Sequence, residues 1–186
     1  SMSDYNAAAA YAEKWLKIIA SPTIDEATAK EVSKETVDNF VNHFNKGWVE
    51  YRKSVTEGGE YAGTEWAGEG AVFKDVFGNE YLDFLGGYGA LDLGWSHPEV
   101  VEAVRAQAGK SGIPTQELMD PLRGVLANLL AKITPGSIDH AFFVNSGTET
   151  IEGALKIAKL YTGKSTFIST VKAFHGKTQG SLSVMG

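Results

Sequence analysis

Asn145-Ser146-Gly147-Thr148 joins a short apolar run, Ala141-Phe142-Phe143-Val144, to a stretch of helical spacing from Ile151 to Leu160. A strand-to-helix turn exposes the first free backbone N–H groups of the helix. With the positive end of the helix dipole, those groups suit a phosphate. Gly147 lets backbone approach an anion closely, and Ser146 and Thr148 add hydroxyl donors. The same letters also make an ordinary N-cap turn. They form neither a Walker loop nor a dinucleotide fingerprint, which need a lysine or a third glycine.

Ala173-Phe174-His175-Gly176 follows a second apolar run, Thr166 to Thr170. A loop there falls at the carboxyl edge of an open α/β sheet, where ligands bind. Phe174 suits the role of cover for a flat aromatic ring, with His175 beside it. The competing reading is a core-filling aromatic next to a structural histidine.

The rest of the chain must position these two segments. Tyr11, Trp15, Leu16 and Ile19 predict a helix from about Asn6 to Ala20, stopped by Ser21-Pro22. Val32, Val37, Phe40, Val41 and Phe44 predict a second helix, from about Ile24 to Asn45, that Gly47 ends. Trp48 to Gly70 reads as a glycine-rich loop. Ala71-Val72-Phe73 and the run from Tyr81 to Leu85 predict a hairpin turning at Gly78-Asn79. Ser96, Pro98 and Glu99 have the grammar of a capping box, opening a helix whose buried face is Val100, Val101, Val104 and Ala108. Asp120-Pro121 opens the next helix, with Leu122, Val125, Leu126, Leu129 and Leu130 as its stripe. The two apolar runs then alternate with the Ile151 helix as strands of an α/β unit with a parallel sheet.

Composition narrows the function classes. A chain of 186 residues with 43% apolar and 22% charged side chains suits a globular α/β protein. A formal charge of -6 argues against nucleic acid as partner, and no apolar run reaches the about 20 residues that cross a bilayer. Without cysteine there is no disulfide, thiol nucleophile or Cys-based metal site, as expected of a cytoplasmic protein.

From about Gly70 to Gly186 the chain resembles the fold-type I, class-III aminotransferases, enzymes dependent on pyridoxal 5'-phosphate. The resemblance is carried by Tyr81-Leu82-Asp83, Gly86-Gly87, Ser96-His97-Pro98, Asn145-Ser146-Gly147-Thr148-Glu149 and Ala173-Phe174-His175-Gly176-Lys177, in that order. It implies that Ser146, Gly147 and Thr148 hold the cofactor phosphate, that Phe174 stacks on the pyridine ring and that His175 lies close to it. It places Glu152 near the cofactor as well. Gln116-Glu117-Leu118-Met119-Asp120-Pro121-Leu122 and the helical N-terminal extension look like those of putrescine aminotransferases, which gives Gln116 the role of bonding a distal amine. A surface residue beside a helix is the other reading of Gln116.

The resemblance implies residues 1–66 as a helical extension, 67–112 as the start of a small domain and 113–186 as the first part of the large, mostly parallel-sheet, cofactor-binding domain. It also implies a homodimer and a ping-pong transfer from a diamine such as putrescine or cadaverine to a 2-oxo acid such as 2-oxoglutarate. An ornithine or acetylornithine enzyme is the alternative. None of Lys156, Lys159, Lys164, Lys172 and Lys177 matches the family's catalytic lysine. The Schiff-base lysine is therefore expected beyond residue 186, and the chain alone is expected to be an inactive fragment: a truncated chain, a proteolytic fragment, or one piece of a split or nicked enzyme whose remaining portion is a second chain. A non-catalytic binding module is the other consequence of that missing lysine.

Overall fold

The computed structural model describes residues 2–54 and 63–186 and has an α/β architecture. It divides into two units, Ser1–Gly112 and Ile113–Gly186. Among the described residues no helix is long and apolar enough to cross a membrane.

In the first unit, α1 (Met2–Ile19) lies against α2 (Glu26–Asn39). Asp25 caps α2 by accepting from the Thr28 N–H at 2.7 Å. The Tyr11 hydroxyl donates to Glu35 at 2.7 Å and accepts from Asn39 at 2.8 Å, tying the two helices together. Ala29, Val32 and Val76 form a small core beneath Trp15, Ile18, Ile24 and Trp66.

The long second helix expected from Ile24 to Asn45 is interrupted. Phe40–Phe44 is a π-turn, closed by the Asn45 N–H donating to the Phe40 carbonyl at 2.7 Å. Asn45 is extended, and its side chain accepts from the Trp48 N–H at 3.0 Å, capping α3 (Lys46–Ser54). Asn45, an N-cap residue by its chemistry, therefore makes the break assigned to Gly47. Trp48 to Ser54 is helical rather than looped, and the expected loop also gives way to β1 (Glu65–Glu69). Gly58-Gly59, within that loop, lies outside the described residues.

β1 pairs antiparallel with β2 (Val72–Asp75), and β2 with β3 (Glu80–Leu82), around the expected turn at Gly78-Asn79. Asp75 organises that turn. Its carboxylate accepts from the N–H groups of Phe77 and Asn79 at 2.9 and 3.0 Å, from the Asn79 amide at 2.9 Å and from the Tyr81 hydroxyl at 3.0 Å. Burial pushes the Asp75 carboxyl up, but those four donors outweigh it and hold it below the ordinary aspartate range. Trp95 lies on Gly68 so closely that a Cβ there would sit 2.5 Å from the indole, and its Nε1–H donates to Asp83 at 2.7 Å.

The one-turn α4 (Gly86–Gly89) leads toward α5 (Pro98–Ser111). The expected capping box does not form. Ser96 takes a positive φ of 50°, and His97 is the N-cap. Ser96 and Glu99 are thus one position out of step with the N-cap and N3 sites a capping box requires. The expected buried face of α5 is not covered: Val100 and Val104 are exposed.

In the second unit, Asp120 caps α6 (Pro121–Ile133) as expected, accepting from the Leu122 N–H at 2.9 Å. α7 (Gly147–Thr162) starts four residues before the periodic stretch, and the short α8 (Gln179–Ser183) packs on it. The expected strands at 141–144 and 166–170 carry no ladder. Neither run is a strand, because a strand needs a hydrogen-bonded neighbour and the two runs do not pair with each other. Ile168 is fully exposed and Phe142 largely so.

Candidate functional site

Ser146 is the N-cap of α7, in extended conformation. Its hydroxyl accepts from the Glu149 N–H at 3.3 Å and lies 3.1 Å from Glu149 Oε2, which also accepts from the Asn145 N–H at 2.8 Å. Ser146 is thus a side-chain N-cap, and the Glu149 carboxylate reaches back past it to the Asn145 N–H rather than to the N-cap's own N–H, an engagement missed by reading Ser146 as a free donor. The N–H groups of Gly147 and Thr148 make no hydrogen bond among the described residues. A Cβ built on Gly147 would meet nothing within 4 Å, so the backbone is bordered by open space on that side.

The Thr148 hydroxyl is also engaged. It lies 2.6 Å from the Ser181 hydroxyl and 2.8 Å from that of Thr178. One turn further along α7, Glu152 Oε1 accepts from the Thr178 hydroxyl at 2.5 Å and from the N–H groups of Gly180 and Ser181 at 2.8 and 3.1 Å. The Thr178 hydroxyl and the Ser181 and Gly180 N–H groups, helped by Lys156, hold the Glu152 carboxyl below the ordinary glutamate range. Ser181 is fully buried, and Thr178 and Ser181 cap α8 reciprocally. Sequence reasoning missed both residues, although Thr178-x-x-Ser181 has N-cap spacing.

Gly176 is buried at φ 117°, with Thr148 so close that a Cβ would sit 2.3 Å from its hydroxyl oxygen. Gly176 thus brings the end of the Phe174-His175-Gly176 loop to Thr148 in the first turn of α7, beside Ser146 and Gly147 and one turn before Glu152. The Phe174 ring is 67% exposed and stacks on no other ring among the described residues. Gln116, at φ 68°, is exposed and makes no hydrogen bond to this cluster.

The family profile for aminotransferase class-III matches residues 64–186. The chain belongs to the class-III aminotransferases. Membership implies pyridoxal phosphate as cofactor. Among solved structures, this class-III chain is similar to a thermostable (S)-enantioselective omega-transaminase from Thermomicrobium roseum, at 29% identity and TM-score 0.71, over 88% of this chain and 36% of that one. It is also similar to adenosylmethionine-8-amino-7-oxononanoate aminotransferase from Methanocaldococcus jannaschii, at 28% identity and TM-score 0.64, over 75% and 35%. An aminotransferase from Vibrio fluvialis, solved in its PMP-bound form, matches at 26% identity and TM-score 0.61, over 67% and 29%. The chain spans about a third of the length of these structures.

The residues at the head of α7 fit the cofactor's phosphate. Two free N–H groups at a helix N-terminus, with no side chain at Gly147, are donors of the kind a phosphate accepts from. The hydroxyls expected to assist, Ser146 and Thr148, are directed to Glu149 and to α8 instead.

Proposed function

We propose that the intact protein is a pyridoxal-phosphate-dependent aminotransferase that moves the terminal amino group of a diamine, such as putrescine or cadaverine, to a 2-oxo acid such as 2-oxoglutarate. The observation that carries the reading is the pair of free N–H groups on Gly147 and Thr148, with the loop that bears the exposed Phe174 meeting the same turn through Gly176, in a class-III chain. In this reading residues 113–186 begin the cofactor-binding domain, and the protein works as a homodimer.

The cofactor supplies an electron sink for the carbon that bears the amine. The chain's residues bind and orient. The backbone at Gly147 and Thr148 holds the phosphate, supported by the α7 dipole. Phe174 would cover the ring and shield it from water, and His175 would lie close to it. Gln116 offers a neutral amide, which accepts a hydrogen bond from a distal ammonium and places no second positive charge near it. The similarity to an omega-transaminase supports a donor amine remote from any α-carboxylate.

The test is a set of amino-transfer assays on the intact protein with 2-oxoglutarate and putrescine, cadaverine, ornithine or acetylornithine. Turnover of putrescine or cadaverine above the other two is expected. A strict preference for ornithine or acetylornithine overturns the substrate assignment and leaves the aminotransferase reading standing.

A further inference from the structure

We infer that Thr178, with Glu152 and Ser181, is a positioning residue that fixes the Phe174-His175 loop relative to the head of α7. The inference rests on the proposed cofactor reading, because the thing positioned is the ring cover.

Thr148 and Glu152 stand one helical turn apart on the same face of α7. Both are bound by the same short segment. Thr178 Oγ1 lies 2.8 Å from Thr148 Oγ1 and 2.5 Å from Glu152 Oε1, so a single hydroxyl spans both levels of the helix. The Ser181 hydroxyl reaches Thr148 at 2.6 Å, accepts from the Thr178 N–H at 3.1 Å and is shut off from solvent. Upstream, Gly176 presses its backbone on Thr148 with no room for a Cβ. The chain from Gly176 to Ser181 is therefore pinned at three points.

Phe174 begins two residues before the first of those points. Its ring is mostly exposed and stacks on no other ring among the described residues, so burial contributes little to placing it. The loop's anchorage to α7 does. Since the same turn of α7 presents the Gly147 and Thr148 N–H groups, the clamp sets the span between the phosphate donors and the ring cover. Supporting contacts of this kind decide whether a site is held in productive geometry.

The experiment measures the Kd of pyridoxal phosphate for the intact protein and its variants by spectral titration, with the unfolding midpoint of each cofactor-free form alongside. Thr178→Val, which keeps shape and loses the hydroxyl, is expected to raise Kd about tenfold, and Thr178→Ser to restore it to within about twofold. If Thr178 acts through Phe174, the Thr178→Val and Phe174→Ala effects are not additive, and the double variant is about as weak as the weaker single. Additive effects, or an unchanged Kd in Thr178→Val, overturn the inference. So does a Kd that only follows lost stability, with Thr178→Ser failing to rescue it. If Thr178→Val does not fold, Glu152→Gln serves, because it keeps an acceptor for the α8 N–H groups and removes the charge. A several-fold rise in Kd is then expected, and no change counts against the clamp. Absence of saturable cofactor binding by the unaltered protein would sink the proposed function itself, an outcome distinct from any of these.

Discussion

Glu152 on α7 and Thr178 at the head of α8 meet at 2.5 Å although they lie 26 positions apart in the chain. The contact stabilises the ionised form of Glu152. A carboxyl held below its unfolded value contributes stability above the ordinary glutamate range, about 4.3, and that contribution is lost as pH falls through the depressed folded value. Hydrogen exchange of the Gly180 and Ser181 amides should therefore be protected at neutral pH and show this loss of protection in acid, corrected for intrinsic rates. In Glu152→Ala protection should already be low at neutral pH. Protection that ignores both the variant and the acid limb would contradict the contact's role.

Gly176→Ala should destabilise the second unit by about 1–3 kcal/mol, from the strained backbone together with the collision at Thr148. Denaturant midpoints at matched m-values measure it. A neutral substitution would mean that the loop stands off α7.

Phe174→Ala should leave unfolding within about 0.5 kcal/mol of the parent, since the ring is mostly in solvent. Cofactor retained after dialysis should fall. Retention equal to the parent's would return Phe174 to a packing role.

Asp75→Ala strips four donors of their acceptor in the β2–β3 turn, and a loss of about 2–3 kcal/mol is expected in the first unit. Thermal unfolding followed by the fluorescence of Trp66 and Trp95 reports on it. A change under half that size would show that water replaces the carboxylate.

Gln116→Ala should raise KM for putrescine several-fold with little change in kcat, as removal of a distal contact made equally in ground and transition states does. The backbone strain at φ 68° is common to both residues, so stability should hold. An equal fall in kcat would place Gln116 nearer the reacting carbon than proposed.

Local grammar made much of the fold legible. Asp120-Pro121, the turn at Gly78-Asn79 and the Ser-Gly-Thr start of α7 each satisfy backbone groups within a few residues, so their letters suffice. What the sequence hid depended on long-range partners. Nothing near Val100 or Val104 says whether their face is covered, and the runs at 141–144 and 166–170 have strand composition without a paired neighbour in the described residues. The site divides the same way. Ser146, Gly147 and Thr148 are readable as a helix start, whereas the reach of Thr178 and Ser181 across to Thr148 and Glu152 is a tertiary fact.

The π-turn at Phe40–Phe44 has a consequence for chain length. A π-turn holds one more residue per hydrogen-bonded ring than an α-helix, so it is a place where a helix can take up or give up a single residue. Asn45 then restarts the helix with its own cap, whatever the phase of the turn before it. Relatives one residue shorter between α2 and α3 should carry their alignment gap here, and deleting one residue from 40–44 should be far better tolerated than deleting one from the middle of α2.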